Sequence, residues 1–145
     1  MKRYLLIFAL LLGAVCSYAQ SKTDQAAVLQ QCLDLADLQQ YYPPSPVMNT
    51  REQVYVVQNA SAFPAGLQLT KFDKPVKFIE RASEVVNQSV ACFVFHTFNI
   101  TGNTANVTFD FYYTYVRTKA VFNCTVALTR TGAAWTVSET KMSGR

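Results

Sequence analysis

Apolar and polar residues change their spacing twice along this chain. Between Thr23 and Tyr42, the residues Val28, Leu29, Cys32, Leu33, Leu35, Ala36 and Leu38 recur near the helical period. That spacing predicts one amphipathic helix. Thr23 or Asp24 can cap its start, and Pro43-Pro44 ends it, because proline cannot donate to the helical ladder. From Ser45 to Gln88 the pattern is weaker. Val54–Val57 reads as a short strand and Leu67–Phe72 as another, with a turn at Asp73-Lys74-Pro75 and a return over Val76–Ile79. From Ser89 onward the period becomes two. Four antiparallel strands are predicted near 90–101, 104–116, 119–130 and 133–142, joined at Gly102-Asn103, Arg117-Thr118 and Thr131-Gly132.

Those three turns imply a register. The first sets Phe98 opposite Val107, His96 opposite Phe109, Val94 opposite Phe111 and Cys92 opposite Tyr113. The second sets Tyr113 opposite Phe122, Phe111 opposite Cys124 and Phe109 opposite Val126. The third sets Leu128 opposite Trp135 and Val126 opposite Val137. One face becomes almost wholly apolar, while the other carries Thr97, Asn99, Asn106, Thr108, Asp110, Asn123 and Thr125. A slip of one residue would scramble this segregation. Three aromatics, Phe93, Phe95 and Tyr112, fall on the otherwise polar face. Either the Val54–Ile79 strands cover them or they form a partner surface.

A sheet with one apolar face needs a cover, and the Thr23–Tyr42 helix is the candidate. The expected class is α+β: an N-terminal helix packed on a curved, mainly antiparallel sheet with a C-terminal four-stranded meander. A helix followed by long hairpins that end in Gly132-Ala133-Ala134-Trp135-Thr136-Val137 resembles the cystatin-like and nuclear-transport-factor-2-like superfamily. The resemblance covers mainly residues 105–142. It implies a cone between helix and sheet used as a pocket, or a sheet used as a dimer surface. In that reading His96, Phe109, Tyr113 and Trp135 are the ligand-binding residues.

The start of the chain carries a different pattern. Lys2 and Arg3 precede an unbroken run of apolar residues and glycine from Leu5 to Cys16, and Ser17-Tyr18-Ala19 follows. This order reads as a signal peptide over 1–19, with one domain over 20–145. The run is too short to span a bilayer, which takes about 20 residues. Export to a periplasm or the extracellular space is therefore expected. Lipidation at Cys16 is the lesser alternative, since Val15 is large and branched. Setting Lys2 and Arg3 aside leaves 11 basic residues against 9 acidic ones, or +2. So small a charge, without a basic cluster, argues against a nucleic-acid binder. With half of its residues hydrophobic and 15% charged, the chain has enough apolar content for a core.

Candidate chemistry is sparse. Cys32, Cys92 and Cys124 remain after the leader and cannot all pair within one chain. They show no CxxC and no metal spacing, so neither metal nor cofactor is expected. Cys92 and Cys124 lie two strands apart, too far for a disulfide; a bridge would have to use Cys32. Asn59, Asn87, Asn99, Asn106 and Asn123 each open an Asn-x-Ser/Thr triplet, which a strand face rich in Asn and Thr produces by its own periodicity. Glu80 and Glu84 read as a solvated turn. His96 is the only histidine. The register puts it on the apolar face and Asp110 on the opposite one, which counts against a His–Asp pair. The leading reading is a non-enzymatic exported domain that binds a small apolar ligand or a protein partner, with a homodimer left open. One alternative is a pocketed lyase, isomerase or hydrolase using His96 with Tyr113. Another is an inhibitor or structural subunit acting by surface contact.

Overall fold

The computed structural model describes residues 22–42, 53–58, 66–85, 90–115 and 118–144. The expected leader with Cys16, the expected stop at Pro43-Pro44 and the triplets at Asn59 and Asn87 lie outside those residues. The fold is mixed α+β. Helix α1 covers residues 22–33. The strands are β1 (Val54–Val57), β2 (Thr70–Lys71), β3 (Lys74–Pro75), β4 (Lys77–Ile79), β5 (Val90–Thr101), β6 (Thr104–Tyr115), β7 (Thr118–Thr131) and β8 (Ala134–Gly144). Six of them form one open sheet in the order β4-β1-β5-β6-β7-β8, and β2 with β3 makes a separate hairpin. Strand β1 runs parallel to both β4 and β5, while β5 to β8 form the antiparallel meander.

The expected single helix to Tyr42 is two pieces. Leu35 breaks away at φ −50° and ψ 127°, and Ala36–Tyr41 continues as a 3-10 turn. Two side-chain contacts reward the break. The Tyr42 hydroxyl donates to the Leu33 carbonyl at 2.7 Å, satisfying a carbonyl at the helix end. Asp34 is drawn sideways to the Lys71 ammonium at 2.6 Å. Leu38 and Tyr42 both remain buried. Asp24 sits within α1 and turns its carboxylate to the sheet, where it accepts from Trp135 Nε1 at 2.9 Å and pairs with Arg130 at 2.7 Å.

The middle of the chain also differs from the expected hairpin. The turn falls at Phe72-Asp73, with φ of 55° and 60°, the left-handed values that a two-residue hairpin loop requires. Val76 still returns along the first arm, its N–H donating to the Leu69 carbonyl at 2.9 Å, but Lys77–Ile79 leaves the hairpin and joins β1 in parallel. Gln30 holds the small hairpin to α1. Its Nε2 donates to the Thr70 carbonyl at 2.8 Å, and its Oε1 accepts the Thr70 N–H at 3.2 Å. Lys71 is buried between the Tyr42 and Phe72 rings, 5.0 Å from each centroid, and also donates to Gln39.

The four C-terminal strands lie close to where the spacing predicts, but displaced turns and two bulges move their register. The turns fall between Tyr115 and Thr118 and between Thr131 and Ala134, one residue away from the expected positions. A turn displaced by one residue shifts the pairing by two. Phe111 therefore faces Phe122, Phe109 faces Cys124, Val107 faces Val126 and Arg130 faces Trp135. An even shift leaves residues on their expected faces, except beyond Ser138, where a bulge in β8 turns Glu139 and Lys141 outward. The other bulge is at His96, between Phe95↔Phe109 and Thr97↔Thr108. The extra residue reverses the alternation on its N-terminal side. Phe98 still faces Val107 as expected. Phe93 now faces Phe111, and Phe95 faces Phe109, on the helix side of the sheet.

The main core thus lies between α1 and the inner sheet face. Val28, Leu29, Cys32 and Leu33 of α1 pack in one cluster with Phe93, Phe95, Phe109, Phe111, Cys124 and Val126. Each fully buried aromatic or leucine contributes about 1.5–3 kcal/mol relative to exposure. A smaller cluster of Val57, Val85, Val90 and Cys92 forms on the outer face, with Tyr55, Ile79, Val94 and Tyr112 at its margin. Arg81 and Glu84 cap the turn that helps cover it, the Glu84 carboxylate accepting the Arg81 N–H at 2.8 Å. At the far edge, a bulge at Ser138 and the exposed charges of Glu139 and Lys141 blunt β8 against strand addition.

Candidate functional site

Among the described residues, the space between helix and sheet, where the resemblance implied a ligand pocket, is filled by side chains. Phe93, Phe95, Phe109 and Phe111 are each 1% exposed or less. Trp135 is buried with its indole N–H spent on Asp24. Tyr113 lies on this inner face beside Tyr41, ring centroids 6.3 Å apart. His96 lies on the other face with its side chain 46% exposed. The structure therefore does not bring His96 together with Phe109, Tyr113 and Trp135, and the expected His96–Tyr113 pair is divided by the sheet. The expected surface of Phe93, Phe95 and Tyr112 is divided too. Phe93 and Phe95 are interior, and only Tyr112 stays on the outer face.

The bulge creates a site that the even alternation hid. It turns His96 to the outer face, where His96 Nε2 sits 3.0 Å from Asp110 Oδ2. The other carboxylate oxygen of Asp110 accepts from Asn123 Nδ2 at 2.9 Å, across the β6–β7 pair. Asp110, Tyr112, Val121, Asn123 and Ser143 line an open concavity of about 560 Å³. Three strands supply these residues. Asn123 faces Asp110 on one side and Ser143 on the other, and Tyr112 faces Val121 in the next row. The walls mix a carboxylate, an amide and a hydroxyl with one ring and one aliphatic side chain. Burial beside the small outer cluster, reinforced by the Asp110 charge and Cys92, pushes the Tyr112 phenol above its ordinary range.

Nucleophilic chemistry finds little support here. Cys92 shares the outer face but is buried, and burial pushes its thiol up to about 11. A nucleophilic cysteine needs the opposite shift. On the inner face, burial first and then Asp110 and Asp37 raise Cys124 to about 11, and Cys32 is raised further still by burial and by Cys124. All three cysteines are free. Cys92 and Cys124 lie on opposite faces, whereas the register had placed them on one; Cys32 and Cys124 share the main core. Among the described residues, no cluster of three His, Cys, Asp or Glu side chains could hold a metal ion, and no helix is long and apolar enough to cross a membrane.

One signal in the sequence pointed to this site. Phe93 and Phe95 on a polar face were the anomaly of the unbulged register, and an extra residue between Phe95 and Phe98 removes it. The same step brings His96 to Asp110. No protein-family model, curated protein or solved structure matches the chain.

Proposed function

We propose that this chain is an exported, non-enzymatic binding domain whose ligand lies in the outer-face concavity around Asp110 and Asn123. Export rests on the leader pattern of Met1–Gln20. The observation that carries the binding reading is the contrast between a filled helix–sheet interior and an open groove lined by convergent polar groups. The groove's polar walls favour a small hydrogen-bonding ligand over an apolar one. Its floor is rigid, because ladder hydrogen bonds hold β6, β7 and β8 on both sides of Asn123.

A second reading follows from the 3.0 Å His96–Asp110 contact, which is the geometry of an oriented general base. An open, half-exposed dyad with no hydroxyl or thiol bonded to the imidazole among the described residues lacks the nucleophile and the shielding that such catalysis uses. Binding is the simpler reading. Backbone NMR with a mixture of small hydroxylated and amide-bearing probes tests it. Shift changes should cluster at Asp110, Tyr112, Asn123 and Ser143, with Trp135 emission unchanged. Changes clustering at Cys32, Phe109 and Trp135 would return the ligand to the helix–sheet interior and end this reading.

A further inference from the structure

The groove is the end of a longer feature. Along β6, every second residue from Tyr112 through Asp110, Thr108 and Asn106 to Thr104 faces outward, and each meets its neighbours across the sheet. The row after Asp110–Asn123 is Thr97–Thr108–Thr125, in which the Thr97 and Thr108 hydroxyls lie 2.6 Å apart. Asn99 and Asn106 pair in the row beyond that. The last row is four threonines wide: Thr101, Thr104, Thr129 and Thr136. Rows repeat at roughly 7 Å along the strands and neighbours at about 4.8 Å across them. Hydroxyl and amide groups therefore recur at fixed spacing along a track that begins in the groove.

The charge on this track is balanced. Among the described residues, the outer face of β5–β8 carries the carboxylates Asp110 and Glu139 and the ammonium groups Lys119 and Lys141. Glu139 and Lys141 neutralise each other at 3.1 Å. Such a surface offers no cationic cradle for phosphate or sulfate and no excess of carboxylate for a basic partner. It offers many alternating donors and acceptors, with the Tyr112 ring as an apolar platform at one end. A neutral chain of pyranose units presents the complementary chemistry: hydroxyls along both edges and C–H faces between them.

We propose that the ligand of this face is a neutral oligosaccharide or polysaccharide chain, anchored in the Asp110–Asn123 groove and lying along the threonine–asparagine rows. The proposal rests on the groove reading above and adds the ligand class and a direction of travel. Two kinds of measurement test it on the exported chain. Native affinity electrophoresis uses gels containing hydroxyethylcellulose, xylan, galactomannan or dextran. Titration calorimetry then uses neutral oligosaccharides of two to six units from the polymer that retards the protein.

At least one polymer should retard the chain, and affinity should rise tenfold or more between two and six units. The T104V/T129V double variant keeps β-branched shape and removes two hydroxyls. It should lose that gain for six units while leaving the two-unit affinity unchanged. Asn123→Ala should weaken every length tenfold or more. An affinity that stays flat with length, or that the double variant leaves intact, overturns the extended track while the groove reading stands. Retardation by none of the neutral polymers overturns the ligand class. Binding that is indifferent to Asn123→Ala overturns the groove reading beneath it. Circular dichroism of each variant must match the parent, so that lost binding is not lost folding.

Discussion

On the inner face of the meander, Phe93, Phe95, Phe109 and Phe111 pack ring against ring with centroids 5.0–6.0 Å apart, and α1 closes over them. On the outer face of the same strands, the residues between those rings are Asp110, Thr108 and Tyr112, and beside them lie Asn123 and His96. The backbone ladder is shared, so hydrogen bonding between strands does not distinguish the two faces. What differs is whether a side chain has given up water. Among the described residues the inner face is filled by these rings and α1, and its groups hold the fold together. The outer face keeps its polar groups hydrated and leaves them available to a partner. Stability and recognition are therefore carried by alternate residues of one strand, and substitutions one position apart should separate them.

The largest effect is expected at the inner face. Phe109→Ala should cost about 3–5 kcal/mol and leave groove chemistry nothing to stand on. Urea unfolding checks it, and a cost below 1 kcal/mol would mean that the inner face is not the core. Trp135 tests the tie between α1 and the sheet. Trp135→Phe keeps an aromatic ring but removes the N–H given to Asp24. A loss of about 1–3 kcal/mol is expected, since one partner of a charged hydrogen bond is removed. In the parent protein, Trp135 emission should be blue-shifted and closed to iodide.

Alkaline pH should act through both faces. Burial raises Cys92 and Cys124 from 9.0 to about 11, and moves Tyr42 in the same direction. Between those values the folded thiols keep protons that unfolded ones release. The native state then binds more protons, so stability is fully present below about pH 9 and falls as pH rises toward about 11. A urea midpoint that is unchanged between about pH 8 and about pH 10.5 would contradict this burial. Thiol reagents at neutral pH should label the three cysteines at the rate of unfolding.

Deleting His96 sharpens the comparison most directly. Phe95, Thr97 and Phe98 would then alternate inward, outward and inward without a bulge, so the core should survive at a cost of about 1 kcal/mol. In the unbulged register the same deletion would instead exchange the faces, turning Cys92 and Val94 outward and Phe93 and Phe95 inward, and so change the aromatic packing. Near-UV circular dichroism of the deletion variant decides between them. The smallest stability effect belongs to Asn123→Ala on the exposed face, within about 0.5 kcal/mol, alongside the tenfold or greater loss of affinity expected above.

The period of two after Ser89 determined the meander, its strand limits and which of Thr97, Asn106, Thr108, Asp110, Asn123 and Thr125 face outward, because alternation on a strand is a local property of the backbone. Displaced turns did not disturb this, since each moved the pairing by an even number. The position of the bulge is a different kind of information. It depends on whether Phe93 and Phe95 gain more by burial under α1 than the ladder loses at His96, and that balance exists only once the helix and the sheet meet. The end of α1 at Leu33 has the same origin, in Tyr42 and Lys71 reaching across from elsewhere in the chain. So does the parallel seat of β1 between β4 and β5, which no short-range pattern encodes. The candidate site inherits this division. Asp110 and Asn123 were legible as outward residues, whereas His96 beside them was a consequence of packing on the far side of the sheet.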